Sequence, residues 1–404
     1  MARVTPTRTK RTFRAAALFA SAVVGATIAA TLTPVPAARA TAPLQVTTVA
    51  SNLSIPWDVE VAPDGTILTA QRSGSLVAIR PDGRLISIAH DTSRIFAAKE
   101  AGAMGIALDP GFAQNRRVYI CQAEYTRPGA PTIPGEVADL PLPWPNTGQV
   151  INVVSWRIDG DWIRANRERT VLSGIPITAA GRHAGCALTA SGRSLWVGTG
   201  DAALPGNAQN RNSLGGKVLH INRDGTPAAG NPNPRSPIYT LGHRNVQGVA
   251  VAPGTGRVYA IEQGTDRDDE LNLLRSGGNY GYRPDRAPVI YDESVPMTDP
   301  IRVPGAIGPV WRSGPATIAT TALAFLPAGW GPYSGGLVVS TLKGKRLVFM
   351  KLSADGRRVV AKTEALTDRY GRLRGLAVAP DGSLLVTTSN GNSADKILRV
   401  RWGS

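Results

Sequence analysis

The chain has 404 residues, 42% of them hydrophobic and 18% charged, so it is too apolar and too mixed for a disordered protein. Two Cys and four His exclude a disulfide-dense scaffold and a zinc-finger array. The net charge of +16 by itself points to a nucleic-acid or membrane-surface protein. The 44 Gly and 31 Pro are spread along the chain, which favours many short elements joined by turns over a helical bundle.

The first 40 residues have the order of a secretory signal peptide. Five basic residues and no acid come first, an Ala-rich apolar stretch covers residues 15–32, and the small-residue site Ala38-Arg39-Ala40 follows. We predict a signal peptide over residues 1–40 and one exported domain over residues 41–404. A membrane anchor is the alternative, but the stretch is near the minimum spanning length and is diluted by Gly, Ser and Thr.

Cleavage after Ala40 changes the meaning of the charge. It removes six positive charges and no acid, which leaves +10 on the exported chain, with basic and acidic residues interleaved. We therefore expect neither a nucleic-acid partner nor a membrane anchor after cleavage.

The exported part alternates short apolar runs with turn signals. Pro63-Asp64-Gly65, Asp224-Gly225 and Pro380-Asp381-Gly382 are examples, and strand-like runs such as Leu384-Leu385-Val386 follow them. Strand, tight turn and strand predict hairpins, and no long helical periodicity intervenes. The pattern predicts an all-β fold, and at roughly 40–60 residues per blade a β-propeller of six to eight blades. Two β-sandwiches are the alternative, but no linker separates them.

Residues 126–149 are rich in Pro and are incompatible with a central strand. We predict a long surface loop there, and the sequence leaves open whether it is a functional rim loop or a disordered insertion.

Two polar segments contain histidine. His183 lies between glycines that let a ligand approach the backbone, although a lone His is often structural. The second segment, Gly242-His243-Arg244-Asn245-Val246-Gln247-Gly248, is either a solvated turn or, facing a pocket, a source of one cation and two amides for oxygen ligands.

Two further segments carry charge. Acids crowd residues 262–270 beside Gly and Asn, which suits either a hard cation such as Ca²⁺ or a solvated loop. Arg372 and Arg374 are spaced two apart on a predicted strand, so both point to one face. With Lys343 they suit a polyanionic small ligand, or form one charged solvent face.

Taken together and in order, these segments resemble the soluble PQQ-dependent glucose and aldose sugar dehydrogenases, the glucose/sorbosone dehydrogenase family. The resemblance covers essentially all of the exported chain. The motifs that carry it are Ile55-Pro56-Trp57, Gly102-Ala103-Met104-Gly105, the His183 segment, Gly215-Gly216-Lys217-Val218, Gly242-His243-Arg244-Asn245, Glu262-Gln263-Gly264, Asp269-Glu270-Leu271-Asn272, Gly278-Asn279-Tyr280-Gly281 and Pro380-Asp381-Gly382.

The resemblance implies a six-bladed β-propeller that oxidises the anomeric hydroxyl of an aldose to the lactone by hydride transfer to PQQ, with electrons passing to an external acceptor. It implies His183 as general base, Arg244 at the quinone oxygens, and Glu100 in the sugar pocket. The cofactor contacts that it implies are Arg244, Asn245, Gln247, Lys343, Arg372 and Arg374. It implies that the backbone carbonyls of Gly264 and Thr265 hold the Ca²⁺ that bridges PQQ to the protein. It implies the region of a structural Ca²⁺ site at Asp269, Glu270 and Tyr280.

Two questions stay open at this level. The alternative functions are those of a non-catalytic sugar- or protein-binding propeller of the same ancestry and of a Ca²⁺-dependent lactonase-type propeller. Cys121 and Cys186 either form one disulfide between neighbouring blades or stay two separate buried thiols, because sequence gives no Cα separation.

Overall fold

The computed structural model describes residues 44–127, 148–287 and 290–403. It contains six four-stranded antiparallel sheets. Blade 1 comprises β2 (Pro56–Val61), β3 (Ile67–Gln71), β4 (Leu76–Ile79) and β5 (Leu85–Ile88). Blade 2 comprises β6 (Ala103–Leu108), β7 (Arg117–Tyr125), β8 (Gln149–Ile158) and β9 (Ala165–Ile175). Blade 3 comprises β10 (Gly185–Ser191), β11 (Ser194–Thr199), β12 (Lys217–Asn222) and β13 (Ile238–Leu241).

The second half of the chain repeats the pattern. Blade 4 comprises β14 (Val246–Val251), β15 (Val258–Glu262), β16 (Glu270–Leu273) and β19 (Trp311–Arg312). Blade 5 comprises β20 (Thr320–Phe325), β21 (Leu337–Thr341), β22 (Leu347–Leu352) and β23 (Val359–Ala365). Blade 6 comprises β24 (Leu373–Val378), β25 (Leu384–Thr388), β26 (Asp395–Trp402) and β1 (Leu44–Leu53). The other elements are the hairpin β17 (Asp285–Ala287) and β18 (Ile290–Tyr291), α1 (Phe112–Asn115) and a 3₁₀ turn (Gly331–Tyr333).

The innermost strands of the six sheets form a ring. β2 contacts β6, which contacts β10, and the series continues through β14, β20 and β24 back to β2. The fold is therefore a six-bladed β-propeller, as predicted. The alternative of two β-sandwiches is wrong. Within the described residues no helix has the length and apolarity needed to cross a membrane.

Hairpin turns lie where the turn signals predicted them. Gly65 and Gly382 both adopt positive φ, and each donates its amide hydrogen to a carbonyl three residues earlier, at 2.9 Å and 2.8 Å. Only glycine adopts this backbone conformation without steric cost, so these residues direct the chain back into the next strand.

The hydrophobic core lies between the faces of adjacent blades. One cluster joins Tyr119 and Val153 of blade 2 to Leu188 and Leu219 of blade 3, all buried. Each blade thus has two apolar faces, which explains why its strands are apolar runs rather than alternating patterns.

Blades 2 and 3 are also linked covalently. Cys121 of β7 and Cys186 of β10 form a disulfide with a Cα–Cα distance of 5.6 Å. This decides the alternative that the sequence left open.

The ring is closed by the two ends of the described chain. β1, the first strand, pairs antiparallel with β26, the last one, from Leu44 opposite Trp402 to Leu53 opposite Asp395. The predicted signal peptide at residues 1–40 lies outside the described residues. So does most of the predicted loop at 126–149, whose ends meet where the Thr126 amide donates to the Gly148 carbonyl at 2.8 Å.

Candidate active site

Two adjoining cavities lie where the inner strands begin. The base cavity, about 270 Å³, contains His183, Arg244 and Gly264; the arginine cavity, about 420 Å³, contains Arg72, Arg372 and Arg374. Lys99, Glu100 and Gln263 line both. The pairing register is interrupted near the start of each inner strand. Such bulges are common at the rims of barrels and next to active sites, where they change the direction of a side chain.

His183 is buried at the wall of the base cavity and belongs to a three-residue network. Its Nδ1 lies 2.9 Å from Oδ1 of Asp201, and the Tyr291 hydroxyl donates to Oδ2 of the same carboxylate at 2.6 Å. The proton on His183 is assigned to Nδ1 because its partner is a carboxylate oxygen. Nε2 therefore keeps its lone pair and can accept a proton.

The backbone around His183 is unusually tight. His183 has a φ of 48°, and a Cβ on Gly200 would overlap the His183 carbonyl oxygen. Gly200 is thus required for the His183 loop to pack against the end of β11, which places Asp201 beside the imidazole.

Arg244 is held by its backbone and its side chain. Its amide donates to Oε2 of the buried Glu262 at 2.8 Å, Nη1 donates to the Gln263 carbonyl at 3.2 Å, and Nη2 lies 3.3 Å from Oε2 of Glu293. Among the described residues its Nε is buried without a hydrogen-bond partner. This donor is therefore able to bind a ligand atom or a water molecule.

The predicted residues Glu100, Asn245 and Gln247 come together. The side-chain amide nitrogen of Asn245 lies 3.1 Å and 3.2 Å from the two carboxylate oxygens of Glu100. The side-chain amide of Gln247 also donates to Glu100. The Ala184 amide donates to Glu100 at 3.2 Å. This cluster forms the wall between the two cavities.

The arginine cavity concentrates positive charge around the buried Arg374. Burial lowers the pKa of Arg374 to about 9, and the positive charges of Arg372 and Arg72 act in the same direction. Burial also lowers the pKa of Arg72 and of Arg372. The Arg374 guanidinium carbon lies 3.5 Å from the centre of the Trp57 ring. Three guanidinium groups around one cavity are suited to a ligand with several carboxylates.

The residues of the two predicted Ca²⁺ regions lie partly at the base cavity and partly behind it. Gly264 and Thr265 line the base cavity with Asp269, whose oxygens accept the amides of Gly264 at 2.9 Å and Ile318 at 2.6 Å. Burial raises the pKa of Asp269. Across the described ranges no three His, Cys, Asp or Glu side chains are placed to hold a metal ion. A cation here would depend on carbonyl oxygens.

Glu270 and Tyr280 lie behind the cavity and do not line it. Burial and the neighbouring Glu262 raise the pKa of Glu270 to about 8, and the Thr298 hydroxyl donates to it at 3.0 Å. The Tyr280 hydroxyl donates to the Leu273 carbonyl at 2.7 Å, and its ring stacks on His243.

Lys343 is exposed, and its ammonium nitrogen lies 3.5 Å from Oγ1 of Thr317, a residue of the base cavity. It therefore stands beside the cavities, and its predicted cofactor contact stays a prediction.

Sequence reasoning missed several residues of the two cavities and their surroundings: Arg72, Lys99, Asp201, Gln263, Tyr291, Glu293 and Thr317. Asp201 had a signal, because it follows Gly198-Thr199-Gly200 directly after a strand. Tyr291 and Glu293 had none, because they come from an insertion between β16 and β19.

A family model described as glucose/sorbosone dehydrogenase matches residues 53–399. The chain belongs to the glucose/sorbosone dehydrogenase family. This family member is 27% identical over 374 residues to the aldose sugar dehydrogenase YliI of Escherichia coli K12, with 89% of this chain and 94% of the relative covered.

Solved structures agree with the family assignment. The PQQ-bound aldose sugar dehydrogenase of Streptomyces coelicolor is 28% identical, with a TM-score of 0.70, and the match covers 89% of this family member and 98% of that chain. The soluble aldose sugar dehydrogenase of E. coli in its apo-form, at 24% identity and a TM-score of 0.74, covers 89% of this chain and 100% of its own, and shares the fold.

Proposed function

We propose that the protein is an exported, PQQ-dependent aldose sugar dehydrogenase that passes electrons to an external acceptor. The observation that carries the proposal is the pairing of two cavities. One presents an imidazole whose Nδ1 is hydrogen-bonded to Asp201, and the other is lined by three arginines, of which Arg374 is buried. Oxidation of an alcohol by a quinone that carries carboxylates requires a base for the alcohol proton and, next to it, a pocket of positive charge for the carboxylates.

The residues present fit both implied groups. Arg72, Arg372 and Arg374 would hold the carboxylates of PQQ, and the unpaired Nε of Arg244 offers a further donor. The carbonyl oxygens of Gly264 and Thr265 are the hard donors that Ca²⁺ prefers. When bound, PQQ supplies a two-electron acceptor that takes a hydride.

The chain's own residues supply binding and proton transfer. Nε2 of His183 accepts the proton of the anomeric hydroxyl, and the Asp201 carboxylate stabilises the imidazolium that results. Tyr291 holds Asp201 in position through its 2.6 Å hydrogen bond. The guanidinium of Arg244, kept in place by Glu262 and Gln263, stabilises negative charge that develops on an oxygen in the base cavity.

Export is part of the same proposal. The disulfide between Cys121 and Cys186 suits an oxidising compartment outside the cytoplasm, where such bonds persist. The predicted signal peptide over residues 1–40 provides the route.

Reconstitution tests the function. The apo-protein is titrated with PQQ in the presence of Ca²⁺, with binding followed by quenching of Trp fluorescence, since Trp57 lines the arginine cavity. Dye reduction is then measured with a panel of aldoses. We expect saturable PQQ binding and sugar-dependent turnover. No PQQ binding would refute the proposal, and binding without turnover on any aldose would favour a non-catalytic propeller. A His183→Ala variant with full turnover would refute the role given to His183.

A further inference from the structure

An insertion in blade 4 contacts residues that line the base cavity. It lies between β16 and β19 and includes the hairpin of β17 and β18. The insertion is tied to the site through Tyr291, which ends β18 and donates to Asp201. Two residues further on, Glu293 projects towards His183.

Glu293 is surrounded by positive groups. Its Oε1 accepts a hydrogen bond from Nη2 of Arg182 at 2.8 Å, and its Oε2 lies 3.3 Å from Nη2 of Arg244. Nε2 of His183 lies 3.9 Å from Oε1. Burial would raise the pKa of Glu293, but the positive charges of Arg244 and Arg182 outweigh it, so the pKa is lowered and the side chain is a carboxylate at neutral pH.

Resting on the proposed function, we propose that Glu293 is a specificity-determining residue that accepts a hydrogen bond from the sugar hydroxyl next to the anomeric one. Nε2 of His183 must lie against the anomeric hydroxyl to take its proton. Oε1 of Glu293 lies 3.9 Å from that nitrogen, so neighbouring hydroxyls of one sugar can contact both atoms. Hydroxyls on adjacent sugar carbons are about a hydrogen-bond length apart, so the C2 hydroxyl is the one that meets Glu293.

The other carboxylates at this cavity are already engaged by fixed donors. Glu100 accepts from Asn245, Gln247 and the Ala184 amide. Asp201 and Asp269 each accept backbone amides in addition to their other contacts. Glu293 instead has only the side chains of Arg182 and Arg244 as hydrogen-bond partners among the described residues, and its side chain is 36% exposed. An ionised carboxylate can accept several hydrogen bonds, so Glu293 can take a sugar hydroxyl without losing its arginines.

A purely structural role for Glu293 makes a different prediction. As a counter-ion for Arg182 and Arg244 alone, it would affect all sugars equally. A hydrogen bond to one hydroxyl affects only sugars that carry this hydroxyl, because a site built for a hydroxyl discriminates against the analogue that lacks it.

The test compares kcat/KM for glucose and for 2-deoxyglucose in the PQQ- and Ca²⁺-loaded protein. The variants are E293Q and E293A. The matched control is E364Q. Glu364 lies on the outer strand β23, away from the cavity, is 37% exposed and pairs with Arg346. We expect the glucose to 2-deoxyglucose ratio to fall about tenfold in E293A, to fall less in E293Q because the amide keeps one acceptor, and to stay unchanged in E364Q.

Melting temperatures close to that of the wild type would show that the variants fold. Equal losses on both sugars, with an unchanged ratio, would overturn the proposal while leaving the dehydrogenase function intact. Wild-type protein that binds no PQQ, or binds it and oxidises no aldose, would overturn both. The two failures are thus separated by the wild-type measurements.

Discussion

Replacing Asp201 by Asn is expected to cost much less activity than removing His183, and the reason lies in the hydrogen bonds of this carboxylate. Oδ1 accepts from Nδ1 of His183 and from the Ala203 amide, both at 2.9 Å. Oδ2 accepts from the Tyr291 hydroxyl. In D201N the Ala203 amide requires an oxygen at the Oδ1 position, so the new NH₂ group faces Tyr291, whose hydroxyl can turn and accept.

The imidazole then keeps its proton on Nδ1, and only the negative charge is lost. Hydrogen bonds to charged groups contribute about 1.5–3 kcal/mol and neutral ones about 0.5–1.5 kcal/mol, so the loss is about 1–2 kcal/mol of transition-state stabilisation. That corresponds to roughly a tenfold fall in kcat. Removal of the base in H183A is expected to cost about 10²–10⁴-fold.

The assay is dye reduction by the PQQ- and Ca²⁺-loaded variants at saturating aldose. A Tyr291→Phe background provides the control, because without the hydroxyl the side-chain amide introduced by D201N has no acceptor there. The double variant should therefore lose more than the product of the single losses. A D201N protein as inactive as H183A, in either background, would show that Ala203 does not fix the amide orientation and would refute this reasoning.

Three further predictions concern other parts of the molecule. Reducing the disulfide between Cys121 and Cys186, which are 65 residues apart, should lower the free energy of unfolding by about 4 kcal/mol in urea titrations; a loss near zero would contradict this. Burial raises the pKa of Asp58 to about 7 and, with the charge of Asp58, that of Glu60 to about 8, so the folded state holds these protons more tightly than the unfolded chain. Stability should therefore fall as pH rises from about 4.5 to 8, and E60Q should flatten that fall; parallel wild-type and E60Q curves would contradict it. Replacing Arg72 by Met should weaken PQQ binding at least tenfold in fluorescence titrations with an unchanged melting temperature, whereas unaltered affinity would remove Arg72 from the cofactor site.

The fold was predictable because its signals are local. Turns such as Pro380-Asp381-Gly382 require particular residues, and apolar runs such as Leu384-Leu385-Val386 fill both faces of a blade. The chain length divided by the usual length of a blade allowed six to eight blades. The number six came from the resemblance to the family. Whether Cys121 and Cys186 bond depended on the distance between two blades, which no local pattern contains.

The site was predictable where it is carried by loops that directly precede inner strands. Asn245 lies immediately before β14 and Arg372 immediately before β24, and His183 lies two residues before β10. All three are polar residues ahead of apolar runs. Tyr291 and Glu293 lie beside His183 but come from an insertion more than 100 residues away along the chain. Only tertiary folding shows their proximity.

The pairing of β1 with β26 has a consequence for how the molecule is made. A ribosome delivers β1 first and its partner last, so the earliest strand waits as an unpaired edge while five blades assemble. Such an edge invites pairing with other chains until β26 arrives. A chain truncated before residue 395 lacks the partner entirely and should aggregate or be degraded. Closure of the ring thus depends on the last strand that the structure describes.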